Sequence, residues 1–69
     1  MVYLVSGVGK PNKIVNLKYG KEERDIMPDE HGFWSVDLTT FKDYPNYKQV
    51  KVGRQTRSIA ERPFGMVFK

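Results

Sequence analysis

The sequence predicts an all-β domain: a small antiparallel β-sandwich, or a small β-barrel, of five to seven short strands. Three observations predict it. No long segment repeats its apolar residues every 3.6 positions. Short runs alternate apolar and polar residues with period two instead. Glycine and proline turn signals separate these runs at close spacing.

The elements follow in order. Residues 2–6 (VYLVS) are β-branched and aromatic, and read as a strand. Residues 7–12 (GVGKPN) read as a loop, because glycine and proline disfavour regular structure. Residues 13–19 place Val15, Leu17 and Tyr19 on one face and Ile14, Asn16 and Lys18 on the other. Gly20-Lys21 is a hairpin turn, with glycine supplying positive φ. Residues 22–27 (EERDIM) return as an edge strand whose charges discourage pairing with another chain. A short helical turn is the competing reading of that stretch, since Glu and Arg favour helix.

Pro28 to Gly32 form a turn. Residues 33–38 (FWSVDL) then alternate, with Trp34, Val36 and Leu38 inward and Phe33, Ser35 and Asp37 outward. Residues 39–46 connect, and Phe41 and Tyr44 are expected to pin the connection to the core. Residues 47–52 alternate again, setting Lys48, Val50 and Val52 against Tyr47, Gln49 and Lys51. Gly53-Arg54 turns the chain into a last full strand near residues 55–60. The tail FGMVFK adds a last short strand or docks Phe64 and Phe68 onto the body; the alternative is a frayed terminus that orders only against a partner.

With 69 residues the chain is one domain, 1–69, with 61–69 as its tail. So small a domain buries only about 60% of its unfolded surface. Four Phe, four Tyr and one Trp compensate, each burying about 150–250 Å². Met1 implies a whole translation product. There is no secretory signal pattern and no apolar run of membrane-spanning length, which points to the cytoplasm or a virion and to no membrane partner.

Catalytic chemistry has little to stand on. Without cysteine there is no thiol nucleophile, no disulfide and no Cys-based metal site. His31 is the sole imidazole and reads as a solvated turn residue. Asp29, Glu30 and His31 are consecutive, so they cannot converge on one ion. Gly7-Val8-Gly9-Lys10 lacks the Walker spacing. The expectation is a protein that is not an enzyme, with no catalytic residues, no metal, no cofactor and no small-molecule substrate.

Charge points to binding. Residues 1–41 carry five basic against six acidic side chains, and residues 42–69 carry seven against two. The basic excess lies wholly in the second part, which suits an acidic or polyanionic partner. Lys48, Lys51, Arg54, Arg57 and Arg62, interleaved with Tyr44, Tyr47 and Phe64, are the candidate binding residues. Cations track phosphates and rings stack on bases, so the set suits single-stranded nucleic acid; an acidic protein surface selects similar residues. Strand alternation sends Lys48 and Lys51 to opposite faces, which argues against one continuous patch.

Residues 5–38 read together as VSGVGKPNKIVNLKYGKEERDIMPDEHGFWSVDL. The strand ending in Ser-Gly, the Gly/Pro loop, and the run Asp29, Gly32, Trp34, Ser35, Val36 resemble the bacterial immunoglobulin-like repeats of surface adhesins and phage virion proteins. The resemblance covers about half the chain, and from Arg54 onward nothing matches. It implies an immunoglobulin-like β-sandwich and a structural or adhesive module without catalysis. The leading expectation is therefore a noncatalytic accessory module docking on a larger protein assembly, such as a capsid decoration or cement protein. The rivals are a small basic nucleic-acid-binding β-barrel and a small inhibitor or regulator of a partner protein.

Overall fold

A computed structural model describes residues 2–62 and 64–68, without the side chain of Glu61. Its strands are β1 (Leu4–Val8), β2 (Val15–Tyr19), β3 (Glu22–Ile26), β4 (Phe33–Asp37), β5 (Gln49–Val52), β6 (Gln55–Ser58) and β7 (Gly65–Phe68). They form a three-stranded sheet, β4-β1-β7, and a four-stranded sheet, β3-β2-β5-β6. The all-β class expected from the alternation is what the chain adopts. One pairing departs from the antiparallel rule: β7 runs parallel to β1. Parallel neighbours need a long crossover, and here the crossover includes the whole four-stranded sheet.

One core lies between the sheets. Tyr3, Val5, Trp34, Met66 and Phe68 face it from one side, and Leu17, Tyr19, Val50 and Val52 from the other. Leu38 and Phe41 close it from the connection after β4. Tyr19 is fully buried and organises the aromatic cluster, with Phe41 edge-on at 5.8 Å and Tyr44 tilted at 6.2 Å. The Tyr19 hydroxyl donates to the Tyr47 carbonyl at 2.6 Å and accepts from the Tyr47 N–H at 3.2 Å. Phe41 and Tyr44 thus pin the connection as expected.

Several local readings are corrected. β1 continues through Gly7 and Val8, which the sequence suggested as loop. Gly7 serves close approach, not flexibility: a Cβ there would lie 2.5 Å from Trp34 Cζ2 and 2.9 Å from the Phe68 carbonyl oxygen. Residues Glu22–Ile26 are an edge strand, so the helical alternative fails. The strand expected over 55–60 stops at Ser58, whose hydroxyl accepts from the Ala60 N–H and starts a 3-10 turn, Ile59–Glu61. Residues Gly65–Phe68 are the added strand, with Phe68 buried.

Asp37 starts the other 3-10 turn, Leu38–Thr40. Its Oδ1 accepts from the Thr39 hydroxyl at 2.7 Å, the Thr39 N–H at 3.0 Å and the Tyr3 N–H at 3.2 Å. The Thr39 hydroxyl, then the Thr39 N–H, hold this carboxyl below its ordinary 3.8. A lowered native value gives stability that is full above the unfolded value and lost as pH falls through the native one. Melting temperature should therefore fall more steeply for the wild type than for Asp37→Asn between about pH 5 and pH 2. Parallel acid melts of the two proteins would show that Asp37 does not act this way.

Candidate binding surfaces

The two sheets turn chemically different outer faces to solvent. On the four-stranded sheet, alternation directs Lys18, Glu23, Gln49, Lys51 and Thr56 outward, because Leu17, Tyr19, Val50 and Val52 occupy the core side. Lys18 lies directly opposite Lys51, which lies opposite Thr56. Lys18, Tyr47, Lys48, Gln49, Lys51 and Thr56 line a shallow groove of about 570 Å³. Lys48 precedes β5 and so escapes the strand alternation. It shares this groove with Lys51, which corrects the expectation of opposite faces. Among the described residues the ion pairs are Arg24–Glu22 and His31–Glu30, and none involves these lysines.

The remaining candidates scatter. Arg54, in the β5–β6 turn, meets Lys10 and Lys13 around a second groove of about 460 Å³ at the loop end of the same sheet. Arg57 is half-buried and already engaged: it lies 4.8 Å from the Phe68 ring centroid, and its Nη1 donates to the Val67 carbonyl at 3.2 Å. It bridges β6 to the free edge of β7. Arg62 is exposed beyond the second 3-10 turn. Burial pushes the neighbouring Tyr3 phenol up, Tyr44 adds to the rise, and Arg62 pulls against it. Phe64 is 90% exposed. Tyr44 packs against the core, tilted on Tyr3 at 6.4 Å, and belongs to no outer face. Only Tyr47 among the predicted aromatics joins the lysines. Lys18, absent from the predicted set, joins them because β2 and β5 pair.

The outer face of the three-stranded sheet was not singled out by the sequence reasoning. Leu4, Ser6 and Val8 of β1, Phe33 and Ser35 of β4, and Val67 of β7 point outward there. Phe33 is 57% exposed, Val67 53% and Val8 50%. Val8 lies opposite Phe33, and Ser6 opposite both Ser35 and Val67. Met27 joins Val8, Phe33 and Val67 around a groove of about 530 Å³. Asp37 is the single charged residue of these three strands, and its carboxylate is turned onto Thr39 and Tyr3. A signal existed in the sequence: Val2-Tyr3-Leu4-Val5 is apolar on both faces, the pattern of a strand covered on both sides.

The turn before β4 holds His31 in solvent, 3.4 Å from the Glu30 carboxylate, with the imidazole 69% exposed. Asp29 builds that turn: its Oδ1 accepts from the His31 N–H at 2.8 Å and the Phe33 N–H at 3.0 Å. Among the described residues no three His, Cys, Asp or Glu side chains come together as a metal site. No helix among them is long and apolar enough to cross a membrane. Comparison with protein-family models, with curated proteins and with solved structures returns no match.

Proposed function

We propose that this chain is a noncatalytic accessory module that docks on a larger protein assembly through the outer face of its three-stranded sheet. The observation that carries the reading is the concentration of exposed Leu4, Val8, Phe33 and Val67 on strands whose one charge, Asp37, is engaged in capping the turn after β4. An exposed apolar patch on a protein of net charge +4 supports an interaction there. Three strands of this length offer a face of about 17 by 14 Å, on the order of 240 Å². A stable one-to-one complex buries about 800 Å² per partner. So small a face holds best where copies repeat on a lattice and avidity adds to single-site affinity. The resemblance of residues 5–38 to immunoglobulin-like repeats of virion and adhesin proteins makes a virion surface the favoured lattice.

The test compares wild type with the double variant Phe33→Ser, Val67→Ser, both sites being more than half exposed. In its native context the wild type should co-sediment with an assembly at fixed, high stoichiometry. Loss of one apolar anchor weakens a contact by about 2 kcal/mol, roughly thirtyfold. The variant should therefore fold normally and sediment free. Equal retention of the variant overturns the reading. So does a dimer of the purified wild type that the variant abolishes, because a second copy would then be what covers the face.

A further inference from the structure

The opposite sheet carries a separate inference: we propose that the outer face of β2, β5 and β6 binds the phosphate backbone of single-stranded nucleic acid. Lys18 and Lys51 sit side by side across the β2–β5 ladder. Like charges directly opposed destabilise a sheet; Glu23 on the other side of Lys18 offsets part of that penalty, and an anion lying between the lysines offsets the rest. Lys48 enters the same groove from the N-terminal end of β5. Arg54 lies outside this groove, in the β5–β6 turn. From Lys48 to Lys51 an extended chain spans about 10 Å. The cations thus follow the strand direction, with the uncharged donors Gln49 and Thr56 beside them.

This layout favours a linear polyanion over an acidic protein patch. On one flank Glu23 of the edge strand lies opposite Lys18 and repels phosphate. The opposing charge confines a phosphate chain to the β5 direction and keeps it from crossing the sheet. At one end of the groove Tyr47 is 38% exposed, with its ring set edge-on against Tyr19 at 6.0 Å. Its backbone is fixed by the Tyr19 hydroxyl. A ring held in this way is a stacking surface for one unpaired base. The shallow groove presents no element that would enter a duplex groove. The face lies on the other sheet from the apolar one, so a docked module still presents it, and neither proposal needs the other.

The experiment is fluorescence anisotropy of a labelled oligothymidylate about 12 nucleotides long, titrated with the purified protein at salt concentrations between about 50 and 200 mM. With about three phosphates neutralised, log affinity against log salt should slope at about −2. Lys18→Gln and Lys51→Gln should each weaken binding and flatten that slope by about 0.7. Arg62→Gln, away from the groove, should change neither. Both lysines are exposed, so the variants keep the fold, which the thermal melt checks. The proposal is overturned by absence of binding at the lowest salt or by lysine variants that bind like wild type. Equal competition from polyglutamate assigns the face to acidic proteins instead. Tighter binding of the matching duplex removes the role of Tyr47 and the preference for single strands.

Discussion

Trp34→Ala should unfold the domain at room temperature or leave it barely folded. Trp34 is 7% exposed, lies over the backbone of Gly7, and stacks tilted on Phe68 at 6.3 Å. One side chain thus joins β4, β1 and β7. Truncation removes the transfer energy of the indole and leaves a cavity that the side-chain-free Gly7 cannot fill. Such a loss is about 3–5 kcal/mol, against a total of about 3–10 kcal/mol for a domain this size. Urea titration followed by far-UV circular dichroism measures it directly. Melting like wild type would take Trp34 out of the core and overturn the packing of the three-stranded sheet. Gly7→Ala probes the same contact from the other side. It forces the indole off its seat and should cost about 1–3 kcal/mol.

Local chemistry made much of the fold readable. β2 and β4 carry clean alternation, and Val15, Leu17, Tyr19 and Trp34 point where their spacing says. Gly20 and Gly53 sit in hairpin turns at φ 64° and 58°, as their turn position requires. Other elements depend on distant partners and leave no local trace. β7 is only four residues and begins on a glycine, a weak strand former, and it exists because β1 offers a free edge some sixty positions away. Gly7 looked like a turn glycine because sequence cannot report an indole lying on its Cα.

The binding surfaces show the same division. The excess of cations after residue 41 grouped them by position in the chain, whereas the sheets group them by face. Pairing of β2 with β5 brings in Lys18 from the acidic half. Packing of β6 beside β7 takes Arg57 out, onto the Phe68 ring and the Val67 carbonyl. Arg24 is held in a similar way, over the Phe41 ring at 3.8 Å and against Thr40. Arginine suits such roles, since its planar fork reaches a carbonyl while its face covers a ring. The groove lysines and the engaged Arg24 and Arg57 therefore have different surroundings, a distinction that net charge does not contain.

Gly32→Ala should be about as damaging as the loss of Trp34, through the backbone alone. Gly32 is buried with φ 86°. Its N–H donates to the Asp29 carbonyl at 3.0 Å, and its own carbonyl accepts from the Gly9 N–H at 2.8 Å. A Cβ at this position would run into the Gly9 carbonyl oxygen. Backbone on both sides leaves nothing flexible to give way. The left-handed conformation costs an alanine about 1–2 kcal/mol, and the clash adds about 1–3 kcal/mol. Gly53→Ala is the matched control, because Gly53 has φ 58° and no atom within 4 Å of the new Cβ. It should lose only about 1–2 kcal/mol, the conformational part. Urea midpoints of the two variants separate conformation from contact, and equal midpoints would mean that the Gly9–Gly32 approach does not hold the loops together. Under the proposed docking function the contact also bears on binding. It ties the end of β1 to the start of β4, where Val8 faces Phe33, so any Gly32→Ala protein that still folds should bind its assembly as poorly as the Phe33→Ser, Val67→Ser variant.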